Sequence, residues 1–290
     1  MSSHAIQIKQ LVPQTCPFGT TPHVVEPKCP GVVDRYIDLS QYYDRAGLQP
    51  LKQEILDATA EYQGHYRRVY RCLGAAGELR RDMNELLDSP SVQQRLAKRA
   101  AGIISRELKK PAQGEGRADQ RFLSAVTHKG AFTLWDTVSA QGSRVYELVD
   151  SYGLAHHLLD PILTAALAAG HDAVACPDPM APDRLAHLIL PGLSLAFVTS
   201  TQEDPWPHHA YRRLRLDAMA DSDVYRLNRP RLRFTKRVAA ALLEEGVAGL
   251  AQAKAAHDRL EGLYNPYVDF DGVSRAGDEL AQQILALNAE

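Results

Sequence analysis

RVYELVDSYGLAHHLLDPILTAALAAGHDAVA, residues Arg144 to Ala175, decides the fold. Val145, Tyr146, Leu148 and Val149 form a short apolar run that reads as a buried strand. A turn around Asp150–Gly153 follows. Leu158, Leu159, Ile162, Leu163, Ala166 and Leu167 then recur at helical spacing, and Gly170 supplies the stop. Ala173–Ala175 begins another apolar segment, so the unit is strand, loop, helix, strand, a crossover that is right-handed in nearly all parallel sheets.

A loop between strand and helix is where phosphate-binding enzymes place GxxxxGK[ST], whose amides surround phosphate, whose Lys reaches the outer phosphates and whose hydroxyl meets Mg²⁺. Here the loop reads Asp150-Ser-Tyr-Gly-Leu-Ala155-His156-His157. The frame is present, while the first glycine, the lysine and the hydroxyl are replaced.

Working outward, Leu193–Val198 is a second buried strand ending in Thr199-Ser200, as a parallel sheet requires. Strand ends of this kind lie at the carboxyl edge, where open α/β folds bind ligands. Cys176–Asp183 reads as a proline-rich turn, Leu185–Leu190 as a short apolar segment, and Gln202–His209 as a loop carrying Trp206 and a His pair. Phe122–Val126 and Gly130–Leu134 read as short strands. Leu51–Leu87 carries apolar residues at three- and four-residue steps, giving two helices or one long broken one; Val92–Leu108, Val238–Leu263 and Leu280–Leu287 are also helical. Residues 1–34 hold five prolines and form an extended lead-in. Lys109–Arg117, polar with Pro and Gly, is the linker that divides a mostly helical part, 1–115, from an α/β part, 120–290.

Composition narrows the function classes. Thirty-three Lys plus Arg against thirty-five Asp plus Glu leave a formal charge of −2, with no global field for nucleic acid or anionic membrane. Arg67-Arg68, Arg71, Arg80-Arg81 and Arg212-Arg213-Arg215 are interspersed with carboxylates and read as solvated faces. Four cysteines lack CxxC spacing, and no run reaches the roughly 18 apolar residues of a membrane span. Expected, then, is a cytoplasmic protein with no nucleic-acid or membrane partner. Tyr62, Tyr66 and Tyr70 are expected as the buried stripe of a helix hairpin or as a surface for a partner subunit. The histidines invite a metal reading, but no HxH or HExxH spacing occurs, and adjacent rings are expected to point apart; core or solvated histidines are the expectation.

Two segments repeat at one offset of 177 residues: Arg35–Leu39 on Arg212–Leu216, and Leu73–Leu79 on Leu250–Ala256. The chain also resembles the two-repeat P-loop ATPases, described as nucleotide kinases, of Gram-positive spore formers and anaerobes. The resemblance is carried by Thr21–Asp34 in the first copy. In the second it is carried by Arg144–Leu148, Cys176-Pro177, Pro182–Pro191, Leu193–Ser200, Ala255–Leu260 and Asn265–Phe270.

That resemblance implies a P-loop NTPase-like α/β fold, a parallel sheet flanked by helices with a helical hairpin appended, after a truncated first repeat. It implies ATP and Mg²⁺ as cofactors, with the Gly-Lys-Ser/Thr positions falling on Ala155, His156 and His157 and Asp150 at the first glycine. The nucleotide-site residues it points to are Gly153, Ala155, His156, His157, Thr199 and Ser200. Two functions stay open: a non-hydrolysing binding or scaffold protein, as a homo-oligomer or paired with an intact P-loop partner, and a nucleotide-binding ATPase or kinase in which His156, or a lysine from elsewhere in the chain or a partner, replaces the missing lysine.

Overall fold

The computed structural model describes residues 38–109, 114–142 and 144–287. The proline-rich lead-in, the Thr21–Asp34 segment and part of the linker fall outside these residues. The chain divides into two compact units, one spanning 61–256 and one formed from the chain up to residue 60 and from residue 257 onward.

In the smaller unit, Asp44 caps helix α1 (Arg45–Leu48) by accepting from the Ala46 and Gly47 amides. An antiparallel bridge joins Tyr43 to Val268 ahead of α7 (Phe270–Leu287). Leu280–Leu287 is thus the last part of a longer helix.

The larger unit carries a six-stranded sheet in the order β1-β5-β6-β7-β4-β8. Its strands are β1 (Ala118–Gln120), β4 (Arg144–Val149), β5 (Ala173–Asp178), β6 (Ala181–Leu190), β7 (Leu195–Ser200) and β8 (Arg212–Arg215). β4 lies parallel to both β7 and β8, and β1 parallel to β5. β6 alone runs the other way, antiparallel to β5 and β7. The expected neighbouring strand of β4 is therefore β7, in the parallel sense. β5, the strand that follows the crossover helix, lies on the far side of β7 and β6.

The antiparallel strand corrects the reading of Cys176–Asp183 as a turn. β5 continues through Pro177 and β6 starts before Pro182, leaving only Pro179-Met180 between them. Register shifts fall at Cys176/Pro177 and Pro177/Asp178, where a residue without an N–H interrupts the ladder.

The crossover helix is α5 (His156–Ala168), and its end is a Schellman motif. His171 N–H donates to the Ala166 carbonyl and Gly170 N–H to that of Leu167, with Gly170 at φ 81°. Leu158, Leu159 and Ile162 are fully buried against Tyr146, Leu148 and Phe197 on one face of the sheet. Helix α3 (Pro90–Glu107) packs on α5 through Leu96 and Ile103 in the same core. Because side chains alternate along a strand, Val145, Ala196 and Val198 point to the other face, where Leu123, Val138 of α4 (Trp135–Gln141) and Trp206 cover them. A separate hairpin, β2 (Ser124–Thr127) and β3 (Gly130–Thr133), completes the strands.

Two long helices flank this core. α2 (Lys52–Leu87) is continuous, so the expected break is absent, and α6 (Ser222–Tyr264) runs further than Val238–Leu263 at both ends. They meet where Gly249 faces Val69 and Gly246 faces Leu73, and an Arg68–Glu245 ion pair at 2.7 Å bridges them. The buried position on this stretch is Val69, not the tyrosines. Tyr70 is 64% exposed, and Tyr62, Tyr66 and Tyr70 form a half-buried to exposed ladder with ring centroids 6.1 and 6.2 Å apart. Of the two repeat segments, Leu73–Leu79 and Leu250–Ala256 lie in α2 and α6, while Leu39 opens a 3-10 turn where Leu216 follows β8. Among the described residues no helix is long and apolar enough to cross a membrane.

Candidate functional site

The loop after β4 is built around the carboxylate of Asp150, which is buried at 6% exposure. Its Oδ1 accepts the Tyr152 N–H at 3.1 Å and its Oδ2 the Ala155 N–H at 2.7 Å. The Leu154 amide also turns toward it. Three N–H groups that close a loop at a helix N-terminus form the concavity in which such folds hold anions. Here the chain's own side chain occupies it. Burial pushes the Asp150 carboxyl above the usual range, the three amides pull it back, and Asp217 adds to the rise.

Two further groups fasten the loop from outside. Asp217 accepts from Ser151 N–H at 2.7 Å and from Ser151 Oγ–H at 2.8 Å. Asn84 of α2, fully buried, donates through one amide nitrogen to the carbonyls of Tyr152 and Gly153 at 2.9 and 3.0 Å, and accepts from Arg184 at 2.6 Å. Gly153 stands at φ 72°, a left-handed conformation that glycine adopts without strain.

The two adjacent histidines follow. His156 Nδ1 lies 2.9 Å from the Gly153 carbonyl, which folds the ring back over the loop. His157 Nε2 lies 2.8 Å from Asp88 Oδ2. The rings are 3.9 Å apart at 38°, so the expectation that they point apart fails; the bend of His156 toward Gly153 brings them together. Burial, then His157 and Arg184, push the His156 imidazole down to about 4, so it is neutral near pH 7.

The strand end divides in two. Ser200 is buried and donates its hydroxyl to Glu147 at 2.7 Å, while its carbonyl accepts the Asp150 N–H at 3.0 Å; both are scaffold roles. Thr199 lines a cleft of about 300 Å³ at the carboxyl edge of β4 and β7, beside Ser151 and Thr201. Met83, Val126, Phe132 and Leu243 give that cleft apolar walls. Gly153 and Ala155 line a smaller neighbouring pocket of about 90 Å³ that Thr199 also borders, while His156 and His157 line neither, and the Ala155 amide is already bonded.

One wall of the cleft is a directed chain of hydrogen bonds. Thr199 N–H donates to His187 Nδ1 at 3.2 Å. Burial pushes His187 down to about 4, so the ring is neutral and its one hydrogen sits on Nε2, 3.0 Å from Ser124 Oγ. Ser124 then donates to Thr133 at 2.9 Å, and Thr133 to Asp204 Oδ2 at 2.6 Å. Trp135 Nε1–H reaches the other oxygen of Asp204 at 3.1 Å. A serine beside a histidine suggests nucleophilic catalysis, but this histidine donates to the serine and has no lone pair to take its proton. The chain fixes the β2–β3 hairpin over the cleft.

Sequence reading misses Asp217, Asn84, Ser124, Thr133 and Asp204, because each reaches its partner from a distant element and belongs to no spaced motif. The arginines of the sequence clusters are largely engaged: Arg81 lies 3.5 Å from Asp183, Arg80 3.7 Å from Asp178, and Arg213 3.2 Å from Glu147. Comparison of the chain with protein-family models, curated proteins and solved structures gives no match.

Proposed function

We propose that this chain is a non-hydrolysing relative of the two-repeat P-loop ATPases that acts as a binding or scaffold protein. The observation that carries this reading is the Asp150 carboxylate on the Tyr152 and Ala155 amides. A nucleotide phosphate would have to displace a covalently tethered carboxylate, and until it did so would meet like charge at close range. The lysine and hydroxyl positions are His156 and His157, neither of which supplies a fixed cation with a Mg²⁺-binding hydroxyl.

The competing enzyme reading needs a cation in the lysine's place, either a lysine from elsewhere in the chain or from a partner, or His156 as an imidazolium. An imidazole held to about 4 and turned onto the Gly153 carbonyl argues against the imidazolium at neutral pH. The cleft beside Thr199 and Thr201, where apolar walls meet Arg80, Asp178, Glu203 and Lys236, is the better place for a ligand.

Urea denaturation with and without millimolar MgATP tests this. A nucleotide present at 100 times its Kd stabilises the folded chain by about 2.7 kcal/mol. No change in midpoint is expected; a shift of that size, abolished in His156→Ala, would favour the enzyme.

A further inference from the structure

We propose that Asp88, His156 and His157 form a binding site for one divalent transition-metal ion of the zinc class. Their donor atoms all lie within 4.8 Å of one another. Tetrahedral zinc, with bonds of about 2.0–2.1 Å, sets its ligand atoms roughly 3.3 Å apart, so small side-chain rotations close the set. Two imidazoles and one carboxylate are a donor set that such ions favour.

Two features go beyond proximity. Metal-bound histidines usually donate their second ring N–H to a carbonyl or carboxylate, which fixes the tautomer and aims the other nitrogen. His156 already does this: Nδ1 faces the Gly153 carbonyl at 2.9 Å, a group that only accepts, so Nε2 carries the lone pair. The carboxylate is aimed in the same way. Gln93 Nε2 donates to Asp88 Oδ1 at 3.1 Å, which leaves Oδ2 toward His157. In the metal-free chain a hydrogen lies between His157 Nε2 and Asp88 Oδ2; on binding, that hydrogen moves to Nδ1 or to solvent and the ion takes its place.

The surroundings set the limits of affinity. Arg184 acts on His156 from one side and opposes a second positive charge, while Asp160 faces His157 and favours it. The other grouping of donors among the described residues, His257, Asp258 and Glu261, is exposed, where the Asp88 grouping is half-buried. It serves as the control.

Zn²⁺ titrated into the full chain by calorimetry, and Co²⁺ followed by its visible absorption, read the site directly. One equivalent is expected, with low-symmetry cobalt bands. His156→Ala, His157→Ala and Asp88→Asn are each expected to weaken binding at least tenfold, and Gln93→Ala by about 10- to 100-fold as an orienting partner. His257→Ala should leave it unchanged. Circular dichroism of each metal-free variant checks folding, and cobalt spectra of the unmodified chain report ligand type without any substitution. No uptake of Zn²⁺ at micromolar concentration, or binding that survives His156→Ala/His157→Ala, overturns the proposal. MgATP binding does not bear on it, so this site and the closed loop fail separately.

Discussion

Asp150 and Ala155, at the two ends of one loop, are joined carboxylate to amide at 2.7 Å, and the same carboxylate holds Tyr152 N–H at 3.1 Å. The turn between β4 and α5 is therefore closed on itself. It owes its shape to an internal anion.

Removing that anion orphans buried N–H groups. Hydrogen bonds to a charged partner contribute about 1.5–3 kcal/mol. Asp150→Ala is expected to lower stability by roughly 2–3 kcal/mol in urea denaturation, and to gain weak affinity for sulfate, seen as restabilisation by sodium sulfate beyond that of the unmodified chain. Asp150→Asn, which keeps an acceptor on one side, should fall between.

Asn84 ties α2 to the loop from the other direction. Asn84→Ala leaves the Tyr152 and Gly153 carbonyls and Arg184 without their partner. A cost of about 2 kcal/mol is expected, with faster hydrogen exchange confined to 150–157.

Acid sensitivity follows from His187. Its imidazole is held to about 4 in the folded chain against 6.5 for the group unperturbed, so the unfolded chain takes up the proton first. The stability involved is fully present above about pH 6.5 and is lost as pH falls toward 4, up to about 3 kcal/mol for a fully buried ring. His187→Gln should be less stable at pH 7 yet show a flatter profile between pH 6.5 and 4. An unchanged slope would place the titration elsewhere.

The α2–α6 contact separates two glycines that the sequence alone treats alike. A Cβ on Gly249 would lie 2.7 Å from Val69 Cγ2, a stiff, fully buried side chain; one on Gly246 would meet the end of Leu73 at 2.8 Å. Gly249→Ala is expected to lose about 1–3 kcal/mol by overpacking. Gly246→Ala should be near neutral, because Leu73 can rotate away and alanine gains up to about 1 kcal/mol of helix propensity. Thermal melts of the pair decide it.

Much of this was legible along the chain because it depends on local pattern. The apolar run at Val145–Val149, the helical spacing from Leu158 and the stop at Gly170 specify strand, loop, helix and cap from neighbours alone. The antiparallel β6 was not legible, since a run such as Leu185–Leu190 has no direction until its partners are known. The loop's chemistry was half legible: the replaced glycine and lysine showed in the sequence, but that Asp150 would turn inward onto amides, and not outward against a ligand, depended on Asn84 and Asp217 from distant segments. The meeting of His156 with His157 likewise needed the backbone of Gly153.

The most direct test follows the backbone amides of Tyr152 and Ala155 by nitrogen–proton NMR while MgATP is added to the unmodified chain. Both resonances should stay in place to millimolar nucleotide, with their hydrogens slow to exchange, because the Asp150 carboxylate holds them. A saturable shift of the two amides on addition of MgATP would contradict a loop closed by its own side chain.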